Sequence, residues 1–392
     1  MYFSPIHITS VTVTLLGCSI LAVIAFILIY LRPLWRVRNT VKRQENGASD
    51  VEGVTPASVV IFASDDSESL KYLLPSILGQ KYSGPFEVIV VNEGQSDATV
   101  EIVERLKMIH DNLYLTYTPD GARQLSRKKL ALMIGIKAAR YPVVVLTTAN
   151  AVIDSDEWLA RMTAPFVDSD VEVVLGHSFI DWNKDKGPGA LNRIFNGTAD
   201  AVVWLNAALE QHPYRGTCLN LAYTRDVFFN NRGFSRSLNL KYGDDDIFIH
   251  EIATGRNTRV VLHPDSFVKS RAYNIKRLYN EQRSRYYFTG AQLPMLARRM
   301  QAFGSLLLWI ILGLQIALTW IVWPNLFGLA LGCFIFLGLL ITSAILWRRV
   351  IVALTGKKML LSLMWLILLR PFANTYAWIN SMRYRKYNYT WK

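Results

Sequence analysis

The sequence has few cysteines and few acidic side chains for its length, and each shortage narrows the possible functions. Three cysteines occur in 392 residues, Cys18, Cys218 and Cys333, too far apart for a zinc motif or a thiol-redox pair. Hydrophobic residues make up 51% of the chain, which excludes a disordered protein. Cysteine chemistry, a small disulfide scaffold and a disordered segment are therefore excluded.

Acidic residues are outnumbered by basic ones, 30 to 43, which gives a formal net charge of +13. Such an excess can indicate nucleic-acid binding, but no basic helix or recognised nucleic-acid motif accompanies it. The basic residues instead collect beside long apolar runs, at Arg32, Arg36, Arg38, Lys42, Arg43, Arg298, Arg299, Arg348, Arg349, Lys357 and Lys358. That placement is typical of cytoplasmic juxtamembrane loops, so we expect a membrane protein without a nucleic-acid partner.

Three apolar runs without charged side chains, at residues 11–31, 303–323 and 325–346, are long enough to cross a bilayer. A helix of about 20 residues spans about 30 Å of hydrocarbon. The first run is longer than a signal-peptide core and its basic residues follow it, which predicts an uncleaved anchor with the N-terminus outside. The other two predict a helical hairpin.

A fourth apolar stretch, residues 359–369, is short and is followed by Arg370 and Pro371. A full crossing would place Arg370 in the bilayer, at a cost of about 2.5–3.5 kcal/mol, and leave the basic tail outside. We therefore expect a re-entrant or interfacial helix. The predicted plan is an anchor at 1–36, a linker at 37–54, a cytoplasmic domain at 55–290 and a C-terminal membrane region at 291–392.

The middle of the chain alternates short apolar runs with amphipathic ones, the pattern of helices packed on a mostly parallel sheet. Strands are predicted at 58–62, 86–91, 113–117, 143–146, 171–175 and 259–262, and helices at 67–80, 98–109, 127–140, 155–166, 190–209 and 245–254. In an open sheet of this kind, ligands bind beyond the carboxyl ends of the strands. The residues that follow each predicted strand are therefore the candidates for chemistry.

Acidic side chains follow the first two predicted strands: Asp65 and Asp66 after the first, Glu93 and Asp97 after the second. Helix capping explains one such residue per helix but not several acids at one sheet edge, so the turns favour a polar-ligand site, with capping as the alternative. Lys128 and Lys129 begin a third predicted helix, where positive charge opposes the helix dipole. An anion at that helix end explains them; a solvated basic patch is the alternative.

Taken in order, these turns, the segment Val143-Val144-Val145-Leu146-Thr147-Thr148-Ala149-Asn150 and Gly243-Asp244-Asp245-Asp246 resemble the family 2 glycosyltransferases, in particular membrane-bound bacterial members. The resemblance covers about residues 56–287. It implies the GT-A fold, a Rossmann-like, mixed and mostly parallel sheet with flanking helices, together with transmembrane helices at both ends of the chain. It also implies a nucleotide-sugar donor, and a bacterial inner membrane with the catalytic domain facing the cytoplasm.

The resemblance implies roles at the matching positions. Asp65 or Asp66, together with Glu93, would hold the nucleoside, and Asp97 would close that turn. Lys128 or Lys129 would contact the diphosphate, and further substrate-binding candidates are Asn150, Asn220 and Asp246. Gln282, Arg285 and Tyr286 match a Gln-x-x-Arg-Trp element of the family, with Tyr in place of Trp. For that last element, an interfacial helix with snorkelling arginines is the alternative.

Asp244 matches the catalytic base of the family, with Asp245 its nearest rival. Inverting transfer needs one carboxylate that accepts the proton of the acceptor hydroxyl. Three adjacent acids repel one another, so at least one should have a raised pKa, as a base near neutrality requires. A solvated acidic cap on the following helix is the alternative.

The Asp-x-Asp metal element of the family reads Thr148-Ala149-Asn150 here, so both carboxylates are missing. Neutral oxygens bind Mg²⁺ or Mn²⁺ weakly. Three interpretations stay open: a weak or differently ligated metal near Thr148 and Asn150, a metal-independent enzyme that relies on Lys128, Lys129 and Arg285, or a silent protein that still binds nucleotide. The segment Asp154-Ser155-Asp156 resembles a shifted copy of the metal element, but capping of the next helix by Asp154 or Ser155 explains it better.

The sequence therefore predicts a membrane-anchored, inverting glycosyltransferase. The expected donor is a UDP-sugar, and the expected acceptor is a hydroxyl of a membrane lipid or lipid-linked glycan. A catalytically silent, nucleotide-sugar-binding scaffold of a polysaccharide-assembly complex is the alternative, motivated by Thr148 and Asn150.

Overall fold

The computed structural model describes residues 10–47, 54–64, 67–93, 96–119, 126–290, 292–294, 296–322 and 326–385. The chain divides into two compact units. The helical unit comprises the described residues of Met1–Asn39, Leu191–Val203 and Met295–Asn380, and the sheet unit comprises those of Thr40–Ala190, Trp204–Pro294 and Ser381–Lys392.

Regular structure covers most of the described residues. The helices are α1 (Ser10–Phe26), α2 (Arg32–Asn46), α3 (Ser67–Leu78), α4 (Asp97–Lys107), α5 (Arg127–Ala138), α6 (Trp158–Thr163), α7 (Ala190–Leu209), α8 (Arg225–Asn230), α9 (Ile247–Ile252), α10 (Ile275–Thr289), α11 (Leu296–Val322), α12 (Leu326–Thr355) and α13 (Leu361–Arg385). The strands are β1 (Ala57–Ser64), β2 (Phe86–Glu93), β3 (Leu113–Tyr117), β4 (Val143–Thr148), β5 (Ala151–Ile153), β6 (Val173–Gly176), β7 (Ser178–Ile180), β8 (Leu221–Thr224), β9 (Thr258–Val261) and β10 (Val268–Ser270).

The main sheet has the strand order β3-β2-β1-β4-β8-β6-β9 within the described residues. All neighbours pair in parallel except β8, which is antiparallel to both β4 and β6. The predicted mixed, mostly parallel sheet with flanking helices is therefore confirmed. The register places Ser64 opposite Glu93 and Phe62 opposite Thr148, so the carboxyl ends of β1, β2 and β4 meet at one edge.

Helices cover both faces of this sheet because the central strands are apolar on both sides. Leu70 and Leu74 of α3 belong to the same buried cluster as Val59 and Val88 of β1 and β2. On the other face Gly135 of α5 lies so close to β1 that an added Cβ would meet a methyl group of a strand valine at 2.4 Å. Each fully buried aliphatic side chain contributes about 1.5–3 kcal/mol to folding. This core fixes the strand ends on which a site can be built.

A second, three-stranded sheet has the order β5-β10-β7. Its strands are three residues long each, and the sequence pattern did not predict them; β8, α8 and α10 were missed as well. β10 is antiparallel to β5 and parallel to β7. This small sheet matters for the site because it brings the end of β10 beside Asn150, whose main-chain oxygen accepts a hydrogen bond from the Arg271 N–H at 2.8 Å.

Residues 37–46, predicted as the start of a linker, are helical in α2, and residues 48–53 lie outside the described part. The segment lacks glycine and proline and places Val37 and Val41 one turn apart, both buried. In the sheet unit Gln44 reaches β9: its amide donates to the Val260 carbonyl at 3.0 Å and accepts from the Leu262 N–H at 2.6 Å. The helix therefore extends further than its charge pattern indicated.

Three helical stretches among the described residues are long and apolar enough to cross a membrane. The first is Ser10–Asn46, in which a π-helical turn at Ile27–Leu31 joins α1 to α2; the others are Leu296–Ile321 in α11 and Ala330–Thr355 in α12. Their polar side chains bond to one another: Gln315 donates to the Ser19 hydroxyl at 2.9 Å, and Trp347 donates to the Tyr30 hydroxyl at 3.0 Å. These spans agree with the three predicted crossings. The predicted turn between the last two includes residues 323–325, which lie outside the described part.

Arg370 of α13 is buried in the helical unit. Its guanidinium donates to the Asn196 side-chain oxygen at 3.0 Å and lies over the rings of Phe195 and Trp347, at 5.3 and 6.0 Å from their centroids. Polar and aromatic contacts thus surround the residue whose insertion cost argued against a crossing. That α13 is re-entrant or interfacial stays a prediction.

Candidate functional site

A cavity of about 480 Å³ opens at the carboxyl edge of the main sheet. Four separate parts of the sheet unit line it: Ser64, Glu93, Thr148 and Asn150 at strand ends, Lys128 at the start of α5, Asp244 and Asp245 before α9, and Gln282, Arg285 and Tyr286 of α10. The structure therefore brings nine of the residues named from the sequence into one cavity, with Ser64 added. A more apolar cavity of about 760 Å³ between α11 and α12 is lined by no charged side chain among the described residues.

Lys128 and Lys129 have different surroundings although they are neighbours on α5. Lys128 lines the cavity, whereas the Lys129 side chain is fully buried. Lys129 donates to the carbonyls of Ser237, Leu240 and Tyr242, the last two at 3.3 and 2.9 Å. Burial lowers the pKa of Lys129 to about 8. Lys129 thus binds the segment that leads to Asp244, and the predicted diphosphate contact stays with Lys128.

Asp244 is held between two cations. Its carboxylate lies 2.5 Å from the Lys128 ammonium and 3.4 Å from the Arg285 guanidinium, and its side chain is 2% exposed. Burial opposes ionisation, but Lys128 and Arg285 outweigh it and hold the pKa of Asp244 well below its ordinary range. A carboxylate in this state is a poor proton acceptor near neutrality.

Asp245 is more accessible, with 14% of its side chain exposed. Its carboxylate lies 3.3 Å from Arg285 and accepts a hydrogen bond from the Cys218 main-chain N–H at 3.3 Å. Burial and the neighbouring Asp244 charge raise the pKa of Asp245 to about 6, although Arg285 acts in the opposite direction. When two adjacent acids have pKa values shifted in opposite directions, one can exchange a proton near neutrality while the other stays ionised.

Asp246 faces away from the cavity and into the protein. It accepts hydrogen bonds from the Thr289 hydroxyl, from the Ile247 N–H at 2.8 Å and from Arg215 at 3.4 Å. Arg215 in turn lies over the Tyr286 ring, 4.0 Å from its centroid. Asp246 therefore caps α9 and binds Arg215, and the structure does not bring this predicted substrate-binding residue into the cavity lining. Capping, the alternative considered for the whole acidic run, holds for this one member.

Asn220 is a core residue. Its amide nitrogen donates to the carbonyls of His177 and Ser266 at 2.8 and 2.7 Å, and its oxygen accepts from the Trp158 indole at 3.0 Å. These bonds occupy the amide inside the protein, and the structure does not bring the predicted substrate-binding residue Asn220 into the cavity lining. Asp97 is exposed at the start of α4 and does not line the cavity, while Asp65 and Asp66 lie outside the described residues.

Thr148 and Asn150 form a neutral cluster that does not fit Mg²⁺ or Mn²⁺. The Thr148 hydroxyl donates to the Asn150 side-chain oxygen at 2.7 Å, and the Asn150 amide donates to the Ser270 hydroxyl at 3.1 Å and the Arg271 carbonyl at 3.4 Å. No group of three or more His, Cys, Asp or Glu side chains suited to a metal occurs in the described part of the chain. Hard divalent ions prefer carboxylates, which are missing here.

Asp154 and Asp156, the acids of the segment that resembles a shifted metal element, form ion pairs outside the cavity. Asp154 forms an ion pair with Lys269, and Asp156 lies 2.8 Å from Lys81. Of the two residues predicted to cap the next helix, Asp154 binds Lys269 instead, whereas the Ser155 hydroxyl accepts a hydrogen bond from the Glu157 N–H at 3.2 Å, just before the helix begins at Trp158. Neither acid lines the cavity.

The α10 helix brings the Gln-x-x-Arg-Tyr element to the cavity. Gln282, Arg285 and Tyr286 are spaced i, i+3 and i+4, which places them on one side of the helix. Asn274 caps α10 by accepting a hydrogen bond from the Arg277 N–H at 2.9 Å. The sequence did not identify Arg215 or Thr289, which support this helix, because their role depends on contacts with Asp246.

A mixed sheet whose carboxyl edge gathers two adjacent carboxylates, two cations and hydrogen-bonding side chains in one cavity is the arrangement expected of a GT-A glycosyltransferase. The chain is a member of glycosyl transferase family 21, whose family model matches residues 18–392. The predicted enzyme class is thus confirmed, and the matching family is 21, where the motifs had suggested family 2.

Curated relatives include poly-beta-1,6-N-acetyl-D-glucosamine synthases. The Staphylococcus aureus protein is 28% identical over 115 residues, 29% of this chain and 26% of the relative. The Staphylococcus epidermidis protein is 35% identical over 107 residues, 27% of this chain and 24% of the relative. The chain thus spans about a quarter of the length of these relatives.

A solved structure with the same fold is a mannosyltransferase from Pyrobaculum calidifontis in complex with GDP-Man and Mn²⁺. The TM-score is 0.50 at 20% sequence identity, over 92% of this chain and 99% of that chain. At this identity the similarity establishes the fold.

Proposed function

We propose that this chain transfers a sugar, with inversion, from a nucleotide donor to a hydroxyl of a membrane-proximal or lipid-linked acceptor, with Asp245 as the general base. The observation that carries the proposal is the pair of adjacent acids in one cavity, where Asp244 is neutralised by Lys128 and Asp245 has a pKa of about 6. At neutral pH most Asp245 side chains are ionised and able to accept a proton.

The chemical step uses groups of this chain for each charge that moves. The acceptor oxygen attacks the anomeric carbon on the face opposite the diphosphate, and its proton passes to an Asp245 carboxylate oxygen. The bond between the anomeric carbon and the diphosphate oxygen breaks, and its electron pair leaves with the nucleotide. Lys128 and Arg285 line the same cavity and stabilise the charge that develops there. Asp245 then releases its proton to solvent.

A UDP-sugar is the proposed donor, and Glu93 at the end of β2 is proposed to contact its nucleoside. Glu93 lies 3.7 Å from Arg127, so its carboxylate is partly balanced and accepts hydrogen bonds from a ribose or base without a full buried charge. The names of the relatives, which are polysaccharide synthases, support a glycan acceptor. The three apolar helices and the flanking basic residues support an acceptor at the cytoplasmic face of a bacterial inner membrane.

The test is donor turnover by the full chain in lipid nanodiscs, with a panel of UDP-sugars and a bacterial membrane-lipid extract. Asp245→Asn should lower kcat by about 10²–10⁴-fold, since it removes the base and keeps the shape. Asp170→Asn, at an exposed acid outside the cavity to which no role in the site is assigned, is the matched control and should leave turnover unchanged.

Two results would contradict the proposal. Background release of UDP by the wild type with all donors and acceptors would favour the scaffold alternative. Wild-type turnover by Asp245→Asn, combined with an inactive Asp244→Asn, would return the role of the base to Asp244.

A further inference from the structure

The neutral cluster at Thr148 and Asn150 disagrees with the metal that the fold family implies. Thr148 donates its hydroxyl hydrogen to the Asn150 oxygen, and the Asn150 amide nitrogen is directed at Ser270 and the Arg271 carbonyl. A divalent ion at this place would have to break the Thr148 bond and would gain only uncharged oxygens. The diphosphate of a donor needs positive charge from another source.

The cavity itself supplies that charge. Lys128 and Arg285 line it with side chains that are 21% and 25% exposed, so both are open to a ligand while fixed by the carboxylates behind them. Lysine carries three N–H donors and arginine five, and each of these side chains uses only part of its donors on Asp244 and Asp245.

The charges that line the cavity are balanced without an ion. Among its described lining residues there are four carboxylates and four cations: Glu93, Asp244, Asp245 and Glu281 against Arg127, Lys128, Lys241 and Arg285. A cavity that holds a divalent ion needs surplus carboxylates to retain it. The described lining residues have no such surplus, so they favour an anion held by Lys128 and Arg285 over an anion held by a metal.

We propose that the donor diphosphate binds without a divalent ion, and that the Lys128 ammonium exchanges Asp244 for phosphate oxygens while Arg285 contacts the same group. This inference rests on the proposed function. It makes Lys128 a group that changes partner when the donor binds, and Asp244 the counter-ion that holds Lys128 in the free protein.

The first experiment measures binding of UDP, with GDP in a parallel arm, to the full chain in nanodiscs by isothermal titration calorimetry. For the nucleotide that binds, the Kd measured in EDTA should agree within about twofold with the Kd measured in Mn²⁺. A Kd weakened tenfold or more by EDTA would overturn the inference and leave the proposed function intact. Failure of both nucleotides to bind under both conditions would overturn the proposed function and this inference with it.

The second experiment separates a ligand-binding Lys128 from a counter-ion. Lys128→Gln/Asp244→Asn removes both partners of the buried pair, so no unpaired charge is left to unfold the protein. It should weaken UDP binding in EDTA at least tenfold, whereas Asp244→Asn alone should bind UDP at least as tightly as the wild type because Lys128 is released. Lys71→Gln, which breaks an exposed ion pair of the same 2.5 Å length, is the control. Wild-type affinity in the Lys128→Gln/Asp244→Asn protein would overturn the inference.

The third experiment rebuilds the missing carboxylates. In electron paramagnetic resonance, wild-type protein with UDP should leave the Mn²⁺ signal as it is with UDP alone, and Thr148→Asp/Asn150→Asp should reduce it. Loss of signal with the wild type, beyond that caused by UDP, would show a metal site and refute the metal-free binding mode.

Discussion

Asp244 and Asp245 are adjacent in the chain, yet their carboxylates have opposite environments because Lys128 approaches only the first. The sequence predicted the acidic run and one raised pKa in it, with Asp244 favoured as the base and Asp245 as its rival, and the raised pKa lies on Asp245. The choice depends on a lysine from another helix, which no local pattern encodes. The same limit applies to Asn220 and Asp246, whose residue types suit a ligand but whose partners are inside the protein.

The pH dependence of turnover follows from Asp245. Its carboxylate must be ionised to accept a proton, so kcat/KM should fall with a slope of one as the pH drops below about 6. Arg285→Gln removes a cation that lowers the pKa of Asp245, so the midpoint should move to higher pH in the residual activity. A pH–rate profile of both proteins measures this, and a midpoint unchanged by Arg285→Gln would contradict it.

Stability should respond in opposite directions to the two acids. Because burial raises the pKa of Asp245, its ionised form costs folding free energy at pH 7.5, and Asp245→Asn should raise Tm. The pKa of Asp244 is depressed in the fold, so its ionised form stabilises the protein above the unfolded-state pKa, and Asp244→Asn should lower Tm. Differential scanning fluorimetry in nanodiscs reports both shifts; equal signs would contradict the assignment.

At the scale of elements, the long strands were predictable and the short ones were not. The strands β1, β2 and β4 read as continuous β-branched runs because both of their faces are buried. The three-residue strands β5, β7 and β10 form only because each finds a partner, and α10 is polar for most of its length, so neither gives a periodic signal. The Lys129 bonds between α5 and the segment before Asp244 likewise join positions more than 100 residues apart.

Lys129→Met should loosen that segment. The variant leaves three carbonyls without their Lys129 donor, and the buried one, that of Ser237, costs about 1–3 kcal/mol when it is unsatisfied. Amide hydrogens of residues 237–242 should exchange faster and Tm should fall. Lys137→Met, at an exposed position near the end of the same helix, is the control and should change neither. Unchanged exchange in the Lys129 variant would exclude this role.

At the scale of the whole molecule, the chain has three apolar helices long enough to cross a membrane, and Arg370 is buried in the helical unit. The spans were predictable from uncharged length alone, whereas the contact of Arg370 with Asn196 joins residues that lie 174 positions apart.

Arg370→Leu and Asn196→Ala should each lower Tm, and the double variant should lose less than the sum, since the two share one hydrogen bond. Additive losses would show that the pair is not coupled.

The topology is tested by a reporter after the last residue. With an odd number of crossings and the N-terminus outside, a green fluorescent protein fused after Lys392 should be fluorescent and an alkaline phosphatase fusion inactive. An active phosphatase would show that the final apolar segment crosses the membrane.

The Gln44 side chain has a consequence for solubility during folding. By offering one donor and one acceptor to β9, it imitates the neighbour that an outermost strand lacks. Exposed strand borders recruit other chains and start aggregates. A single amide thus covers the border of the sheet, so Gln44→Ala should aggregate faster on refolding than the wild type when light scattering is followed, and equal rates in the two proteins would contradict this role.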